Sequence, residues 1–405
     1  MRSLLLLTAL LLQATPGAVT LPDEEFARRR ARLAEILSGG AVALDTGPLA
    51  EVGSDANTPL FDFKYLTGFH DPEGLLLLAG GRAVAFASDP ARTPARGEGL
   101  TVLPLDRFDA WAAEHLKDVE RVYTKLRRKN LDRLARAAPR AELVGGRLGA
   151  ELARLRLVKS DAEIRLIRKA SDATCAAHRA ALRALKPGIN ERAIQDLVES
   201  TFRKEGCPEL GFPSICASGR NGTILHYMKN DQPVPPETLM VIDIGAALEN
   251  YVTDITRTLP TSGRFSPDQR RAYQTVLDAQ KAAEAALRPG ATFAELDEAA
   301  RRVFEERGMT RWSYAHSRDG SVRHALGHYV GMAVHDSGSY REPFRPGVVL
   351  TIEPGWYDKD AGYGIRIEDI YLVTENGFER LSASAPREIE EIEKAMAERE
   401  QEDRR

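Results

Sequence analysis

The sequence predicts an α/β protein of two domains, whose larger C-terminal domain consists of two similar halves. At 405 residues the chain exceeds the size of one ordinary hydrophobic core. Capped helical patterns alternate with short apolar, β-prone runs. An ordered set of features in 160–254 also recurs in 266–368, which indicates a duplicated α/β unit rather than a solenoid. We place the segments as follows: signal peptide 1–20, N-terminal α/β domain 21–152, duplicated domain 153–388 and charged tail 389–405. The charged runs in 387–405 predict a solvated helix extension.

The N-terminus is typical of an exported protein. The apolar run Leu4–Leu12 follows a start that carries Arg2, and small residues fill much of 14–19. The run is too short to span a membrane and suits a secretory signal. An amphipathic first helix is the alternative, but Thr8 is the only polar residue in the run. We therefore predict a secreted or periplasmic protein with no membrane association beyond export.

The charge balance gives no support for a nucleic-acid partner. The chain has 56 basic and 59 acidic residues, a net charge of −3, and no basic run interleaved with aromatic residues. The three cysteines form no CxxC pair. A Cys207–Cys216 disulfide or ordinary buried thiols both fit, and homo-oligomer formation stays open.

The N-terminal domain offers no site by its residue pattern. A hairpin signal, Gly80-Gly81, lies within the second of its two strand-like runs. We predict strands at 40–44 and 75–88 and helices at 108–116 and 126–137. No pair of metal-binding or acid–base residues stands out there.

Two helix pairs indicate the duplicated halves. Ser160 opens the first pair with a capping box, and Asn190 caps its second helix after the break Pro187-Gly188. Ser266-Pro267 opens the second pair, and Thr292 caps its partner after the break Pro289-Gly290.

The chemistry-bearing residues follow the same repeat. His226-Tyr227 recurs as His328-Tyr329 with the same offset as the two Pro-Gly breaks, and the acid-x-Gly pattern at Asp243 recurs at Glu353. A second acid follows each pattern, Asp254 in the first half and Glu368 in the second. We infer that the halves fold about a pseudo-two-fold axis and aim their carboxylates at a shared centre.

The acids lie in apolar runs, where an unpaired charge is costly. Burying one costs several kcal/mol or more, and both Asp243 and Asp254 have β-branched neighbours. Carboxylates with one or two imidazoles suit divalent ions such as Mn²⁺, Co²⁺, Zn²⁺ or Fe²⁺. Four acids exceed the needs of one ion, so we predict two divalent ions, with Mn²⁺ as the first choice.

The histidine-rich run HALGHYVGMAVHD, residues 324–336, does not predict a zinc helix. His324 and His328 have the spacing of HExxH, but Ala325 stands where that motif needs Glu, and two glycines weaken a helix. Four of the eight histidines, at 226, 324, 328 and 335, lie near Gly-rich turns of the duplicated region. As a group they favour a site over isolated core residues.

These residues resemble the ligands of a known family. The settings D-x-G, D-I-T-R-T, H-x-x-G-H, I-E-P-G and R-I-E-D are similar to those of the pita-bread dinuclear metallopeptidases, which include methionine aminopeptidase, aminopeptidase P and prolidase. The resemblance covers about 155–385. NTPLFDFKYLTGFHDPEG, residues 57–74, resembles the creatinase-like domain of the aminopeptidase P and prolidase branch. It implies a pita-bread catalytic domain behind a smaller creatinase-like α/β domain.

The resemblance also implies residue roles. Asp243 would hold one ion, His328 and Glu353 the other, and Asp254 and Glu368 would bridge the pair. The remaining assignments are these: His226 and His335 on the scissile carbonyl and its intermediate, His324 beside the P1′ proline, and Tyr357 and Arg366 supporting ligands and substrate.

The implied reaction is hydrolysis of the Xaa-Pro bond at the N-terminus of peptides by a metal-bridging hydroxide. Glu353 would accept the proton and pass it to the proline nitrogen. The closest alternative is an Xaa-Pro dipeptidase (prolidase), and a remoter one is a metal-free binding protein or creatinase-like enzyme. Two departures from the family are Ala325, where glycine is usual, and segment 312–323, which leaves His316 unassigned.

Overall fold

The computed structural model describes residues 19–47, 59–315 and 324–402. Residues 1–18 of the predicted signal peptide 1–20 and the unassigned His316 lie outside these ranges. The described chain forms an N-terminal domain around one six-stranded sheet and a C-terminal domain of helix pairs and antiparallel strands. None of its described helices combines the length and apolar character needed to cross a bilayer.

The N-terminal sheet has the order β4-β3-β2-β1-β5-β6. Its strands are β1 Ala41–Asp45, β2 Leu75–Ala79, β3 Arg82–Ala87, β4 Leu100–Pro104, β5 Arg121–Lys125 and β6 Glu142–Val144. Its helices are α1 Asp23–Ile36, α2 Pro59–Thr67, α3 Phe108–His115, α4 Arg128–Ala137 and α5 Arg147–Leu157. The predicted hairpin is confirmed: β2 and β3 are antiparallel, and Gly80 and Gly81 both have positive φ, which glycine adopts without steric cost.

The four predicted helix starts of the C-terminal domain are confirmed. Helices α6 Asp161–Ala184, α8 Pro267–Ala286 and α9 Phe293–Glu306 each begin with a reciprocal capping box, and α7 Glu191–Lys204 begins at the Asn190 side chain. A capping box satisfies two backbone donors that the first helical turn leaves unpaired. Local sequence therefore fixes where the helix pairs begin.

The strands of the C-terminal domain form small antiparallel sheets. They are β7 Glu209–Leu210, β8 Ile215–Ser218, β9 Leu239–Ile244, β10 Ala246–Leu248, β11 Tyr251–Val252, β12 Ile255–Pro260, β13 Val349–Ile352, β14 Gly355–Asp358, β15 Tyr363–Arg366, β16 Asp369–Thr374 and β17 Gly377–Arg380. Strand β9 pairs with β12 in the first half, and β13 pairs with β16 in the second.

The strand register shows how closely the halves correspond. Ile242 and Ile352 each precede the acid of an acid-x-Gly pattern, and they pair with Arg257 and Asp369 respectively. Arg257 and Asp369 thus hold equivalent positions, and they bind each other, with Arg257 Nη2 2.6 Å from Asp369 Oδ1. The predicted duplicated α/β architecture is confirmed.

The C-terminal segment forms the predicted helix extension, but one face of this helix is buried rather than solvated. Residues Ile389–Glu402 form helix α10, and Ile389, Ile392 and Met396 are buried in the core of the C-terminal domain. Their spacing of three and four residues puts them on one helical face. Cys175, Cys207 and Cys216 are buried free thiols, which agrees with the thiol alternative.

Candidate active site

A cavity of about 640 Å³ lies where the two halves of the C-terminal domain meet. Its walls include these predicted residues: His226, Asp243, Asp254, His324, His328, His335, Glu353, Arg366 and Glu368. Much of the remaining lining is apolar, notably Phe212, Ile215, Leu225, Met228, Val334 and Tyr340. Sequence reasoning did not single out the apolar residues, because no motif marks them.

Paired strands deliver the four acids to this cavity. Asp243 lies in β9 and Asp254 immediately precedes β12, the strand beside it. Glu353 follows β13, and Glu368 precedes β16, again the neighbouring strand. A bridge between Thr256 and Glu368 joins the two halves. Each half therefore contributes one acid from each of two adjacent strands.

The acid-x-Gly pattern has a steric reason in the first half. A Cβ on Gly245 would lie 2.0 Å from the carbonyl oxygen of Thr253, next to Asp254. No side chain fits at that distance, so glycine allows the two acid-bearing segments to approach.

His328 faces the acids through one ring nitrogen. Its Nε2 lies 3.5 Å from Asp254 Oδ2, 3.4 Å from Glu353 Oε1 and 3.7 Å from Glu368 Oε1. The Tyr329 carbonyl, 3.3 Å from Nδ1, can only accept a hydrogen bond, so Nδ1 is the donor. That leaves Nε2 directed at the acids, as a metal-binding imidazole requires.

Three oxygens of the acid cluster lack hydrogen-bond donors. Asp243 Oδ1, Asp254 Oδ1 and Glu368 Oε1 are buried and have no hydrogen-bond partner within the described ranges. Burial, together with Glu368 and Asp243, raises the pKa of Asp254 well above its ordinary value. Burial and the charge of Glu368 likewise raise the pKa of Glu353. Buried carboxylate oxygens without hydrogen-bond partners are suitable ligands for divalent cations.

The acids also change the protonation of His328. Burial by itself disfavours the imidazolium, but the nearby carboxylates of Glu368 and Glu353 raise the pKa of His328 to about 9. Asp254, His328 and Glu368 offer ligand atoms that lie within 4.8 Å of one another. The residues present therefore fit a metal centre.

Two side chains support individual acids. Arg366 donates from Nη2 to Asp243 Oδ2 at 2.7 Å, the pairing that sequence reasoning anticipated. Thr256 donates from Oγ1 to Glu368 Oε2 at 2.7 Å. Thr256 was not assigned a role from sequence, although it lies two residues after Asp254 and so on the same strand face.

His324, Tyr357 and Arg366 form a second group beside the metal-ligand candidates. Tyr357 does not line the cavity, but its hydroxyl joins His324 Nε2 at 2.9 Å and Arg366 Nη1 at 3.1 Å. His324 Nδ1 donates to the carbonyl of Ala325 at 2.8 Å. Burial and the nearby Arg366 charge lower the pKa of His324 to about 3, so the ring is neutral. The ring of His335 packs edge-on against His328, with centroids 4.6 Å apart.

The sequence profile of metallopeptidase family M24 matches residues 165–375, which contain all five predicted ligands. The chain belongs to metallopeptidase family M24. Its M24 relatives include a Xaa-Pro aminopeptidase of Haemophilus influenzae, which is 32% identical over 422 residues, covering 93% of this chain and 98% of the relative. The mitochondrial intermediate cleaving peptidase 55 of Arabidopsis thaliana is 30% identical and spans 94% of this chain and 84% of its own.

Solved M24 structures extend the similarity to both domains. The aminopeptidase PepP of Pseudomonas aeruginosa superposes with a TM-score of 0.82 at 30% sequence identity, covering 95% of this chain and all of that chain (100%). A putative aminopeptidase P from Bacillus anthracis gives a TM-score of 0.82 at 28% identity. The predicted pita-bread fold and the aminopeptidase P branch are thereby confirmed.

Proposed function

We propose that this M24 protein is a Xaa-Pro aminopeptidase, a metal-dependent hydrolase that removes the first residue from peptides with proline at the second position. The observation that carries this proposal is the convergence of four acids and His328 on one cavity. Three of the buried carboxylate oxygens have no hydrogen-bond donor among the residues that the structure describes. Similarity to named Xaa-Pro aminopeptidases supports the substrate class.

We propose two divalent ions, with Mn²⁺ as the native pair. Asp243 would hold one ion, His328 and Glu353 the other, with Asp254 and Glu368 between them. A set of four carboxylates and one imidazole favours harder ions such as Mn²⁺ over ions that prefer sulfur or several imidazoles. Bound there, divalent ions supply Lewis acidity and a water with lowered pKa at neutral pH. Metal analysis after gentle purification tests this, and no more than trace metal would favour the metal-free alternative.

The chain's own residues orient the substrate and move the proton. His226 and His335, both on the cavity wall, donate to the scissile carbonyl oxygen as negative charge develops on it. Glu353 takes the proton of the attacking water and delivers it to the proline nitrogen, which cannot leave unprotonated. In this proposal His324, which is neutral and hydrogen-bonded to Tyr357, is the residue on the proline side of the site.

The open side of the cavity favours peptides longer than dipeptides. Met228 and Tyr340 both line the cavity and are 53% and 45% exposed, so the cavity reaches solvent between apolar side chains. Within the described ranges, a bound peptide can therefore extend out of the cavity on this side. This geometry favours an aminopeptidase over the prolidase alternative.

The deciding experiment compares Xaa-Pro-Yaa tripeptides with Xaa-Pro dipeptides on the Mn²⁺-loaded protein. We expect release of the first residue from tripeptides, and a matched Xaa-Ala-Yaa peptide should be a poor substrate. Activity confined to dipeptides would establish the prolidase alternative instead.

We also propose that the protein is exported through its N-terminal segment, 1–20. The apolar run Leu4–Leu12 and the small residues after it support this. N-terminal sequencing of protein from separated cell fractions tests it. An uncleaved chain found in the cytoplasm would contradict export.

A further inference from the structure

Buried charges connect the N-terminal domain to the segment that carries His335. Arg156, the penultimate residue of α5, lies at the boundary between the domains. Its Nη1 donates to Asp62 Oδ1 of α2 at 2.8 Å, and its Nη2 donates to Asp336 Oδ1 at 2.5 Å. Asp336 directly follows His335. One guanidinium therefore binds a carboxylate from each domain, using the fork geometry that arginine provides.

The three side chains are almost fully withdrawn from solvent. Those of Asp62, Arg156 and Asp336 are 3%, 1% and 1% exposed. Lys125 binds Asp62 Oδ2 at 2.5 Å, and Lys159 Nζ lies 3.5 Å from Asp336 Oδ2. Positive and negative charges thus alternate through the domain boundary. Removing one member leaves its neighbours buried without compensation, so the arrangement is intolerant of change.

Asp336 and His335 are adjacent but lie in different surroundings. The Asp336 side chain is buried, whereas His335 lines the cavity. The Asp336 amide donates to the Tyr329 carbonyl at 2.8 Å. A Cβ on Gly331 would lie only 1.9 Å from Asp336 Oδ2, so the carboxylate packs directly against that glycine. The adjacent His335 is exposed to the cavity and packs against His328. These contacts of Asp336 therefore hold the backbone from which the adjacent His335 side chain projects.

We propose that Asp62 and Arg156 are positioning residues for the hydrolysis: the N-terminal domain holds His335 in place through the Asp62–Arg156–Asp336 link. This inference rests on the proposed function and adds a role for a domain whose described residues do not line the cavity. It predicts that a change in α2 reduces catalysis through a histidine of the other domain.

The test is a double-mutant cycle of Asp62→Asn with His335→Ala. A displaced catalytic group costs about 10- to 100-fold in rate, so we expect Asp62→Asn to lower kcat by that range with KM nearly unchanged. In the His335→Ala background the same change should have less than about a twofold further effect, because coupled residues are not additive. Fully additive losses would overturn the link.

Arg29→Met is the matched control. Arg29 of α1 also crosses between the domains in a buried ion pair, with Nη2 3.1 Å from Glu163 Oε1. Its other partners are Glu25, Tyr65 and Tyr251. Arg29→Met should lower the melting temperature, and its effect on kcat should be additive with that of His335→Ala. If Arg29→Met reproduced the non-additivity, general loosening of the domains would replace the link.

Hydrogen exchange gives a readout that needs no activity. Asp62→Asn should speed exchange of backbone amides in 329–338, whereas Arg29→Met should not. If Asp62→Asn does not fold, Arg156→Lys serves, since a lysine ammonium cannot reach both carboxylates in the same fork geometry. If the wild-type protein does not hydrolyse Xaa-Pro peptides, the proposed function is wrong, but the exchange data still test the Asp62–Arg156–Asp336 link. If exchange in 329–338 is unchanged in both Asp62→Asn and Arg156→Lys, the link is wrong and the proposed function is unaffected.

Discussion

The C-terminal domain contains two neighbouring groups of buried carboxylates that differ in the charge around them. Asp369 accepts hydrogen bonds from Arg257 Nη2 at 2.6 Å, Arg387 Nη1 at 3.0 Å and Ser382 Oγ at 2.5 Å. Burial works against its ionisation, but the two arginines prevail and lower the pKa of Asp369. Asp254, in the cavity, has a raised pKa because burial and its acidic neighbours both disfavour a negative charge. Asp369 is thus surrounded by arginines, whereas Asp254 lies beside further acids, an environment that suits cation binding.

This difference separates structural acids from ligand acids more sharply than burial does. Glu368 and Asp369 are consecutive, and both are almost completely buried. Their side chains point to opposite faces of the strand, one toward the cavity and one toward the arginines. The face that each acid occupies therefore decides whether it is positioned to bind a metal or to pair with the arginines.

The largest effect is expected from Asp254→Asn, which breaks the cavity side of the comparison. Loss of a bridging carboxylate should weaken binding of both ions and lower kcat/KM by at least about 10³-fold, since metal ions supply several kcal/mol of transition-state stabilisation. Peptide assays and metal analysis on the same preparation measure both quantities. Near-normal turnover would show that Asp254 does not bridge.

The next largest effect is expected from Asp369→Asn, which removes the carboxylate that pairs with Arg257 and Arg387. Arg257 and Arg387 would be left buried beside a neutral amide, and losing one partner of a buried ion pair costs about 3–5 kcal/mol. Urea unfolding of the metal-loaded protein measures this. Glu379→Gln is the control, because its partly exposed pair with Arg168 is worth about 0–1 kcal/mol. Equal losses in the two variants would contradict the assignment.

After a chelator has removed the metal, the free energy of unfolding should decrease as pH rises. The raised pKa values of Asp254 and Glu353 mean that the folded state keeps protons which the unfolded chain releases above its ordinary values of 3.8 and 4.5. Stability of the metal-free protein therefore falls as pH rises. His328 acts in the same direction, because its contribution is complete below 6.5 and is lost as pH rises through about 9.

Urea unfolding of chelated and metal-loaded protein at several pH values checks this. At a constant free-metal concentration equal to 100 times the Kd at pH 5, the loaded protein should be more stable by about 3 kcal/mol at that pH. The gap should then widen towards about pH 9 as Kd falls. A chelated protein that gained stability over that range would refute the uncompensated acid cluster.

The smallest effect is expected from Thr256→Val, which sharpens the comparison by removing a neutral donor. Thr256 binds Glu368 Oε2 at 2.7 Å, and loss of such a supporting hydrogen bond lowers metal affinity by about 10- to 100-fold. Competition with a metal-binding dye measures the affinity. Thr258→Val, two residues along β12 and bonded to the carbonyl of Arg366, is the control. Equal losses of affinity would attribute the effect to strand distortion.

The sequence predicts those features that depend on neighbouring residues or that occur in both halves of the repeat. The caps at Ser160, Asn190, Ser266 and Thr292 depend on residues within three positions, so they could be predicted directly. The four acids could be found because the second half repeats the pattern of the first. The sequence predicts the helix at α10 but not its burial, because its many charges obscure a narrow apolar face.

The long-range links had no such signal. Asp62 and Asp336 are 94 and 180 residues from Arg156, and no motif in the sequence connects them. The N-terminal domain therefore offered no site by inspection, although one of its acids is tied to the segment of His335. Only folding brings these charges together, and only burial makes the pairing strong.

The Arg257–Asp369 pair has a consequence for how the doubled architecture could arise. These residues are structural counterparts, and counterparts that touch must sit close to the axis relating the two halves. In an assembly of two identical polypeptides, that place would confront an amino acid with its own copy, arginine against arginine or aspartate against aspartate. Joining the halves into a single gene product removes this restriction, so the seam can carry unlike partners that attract.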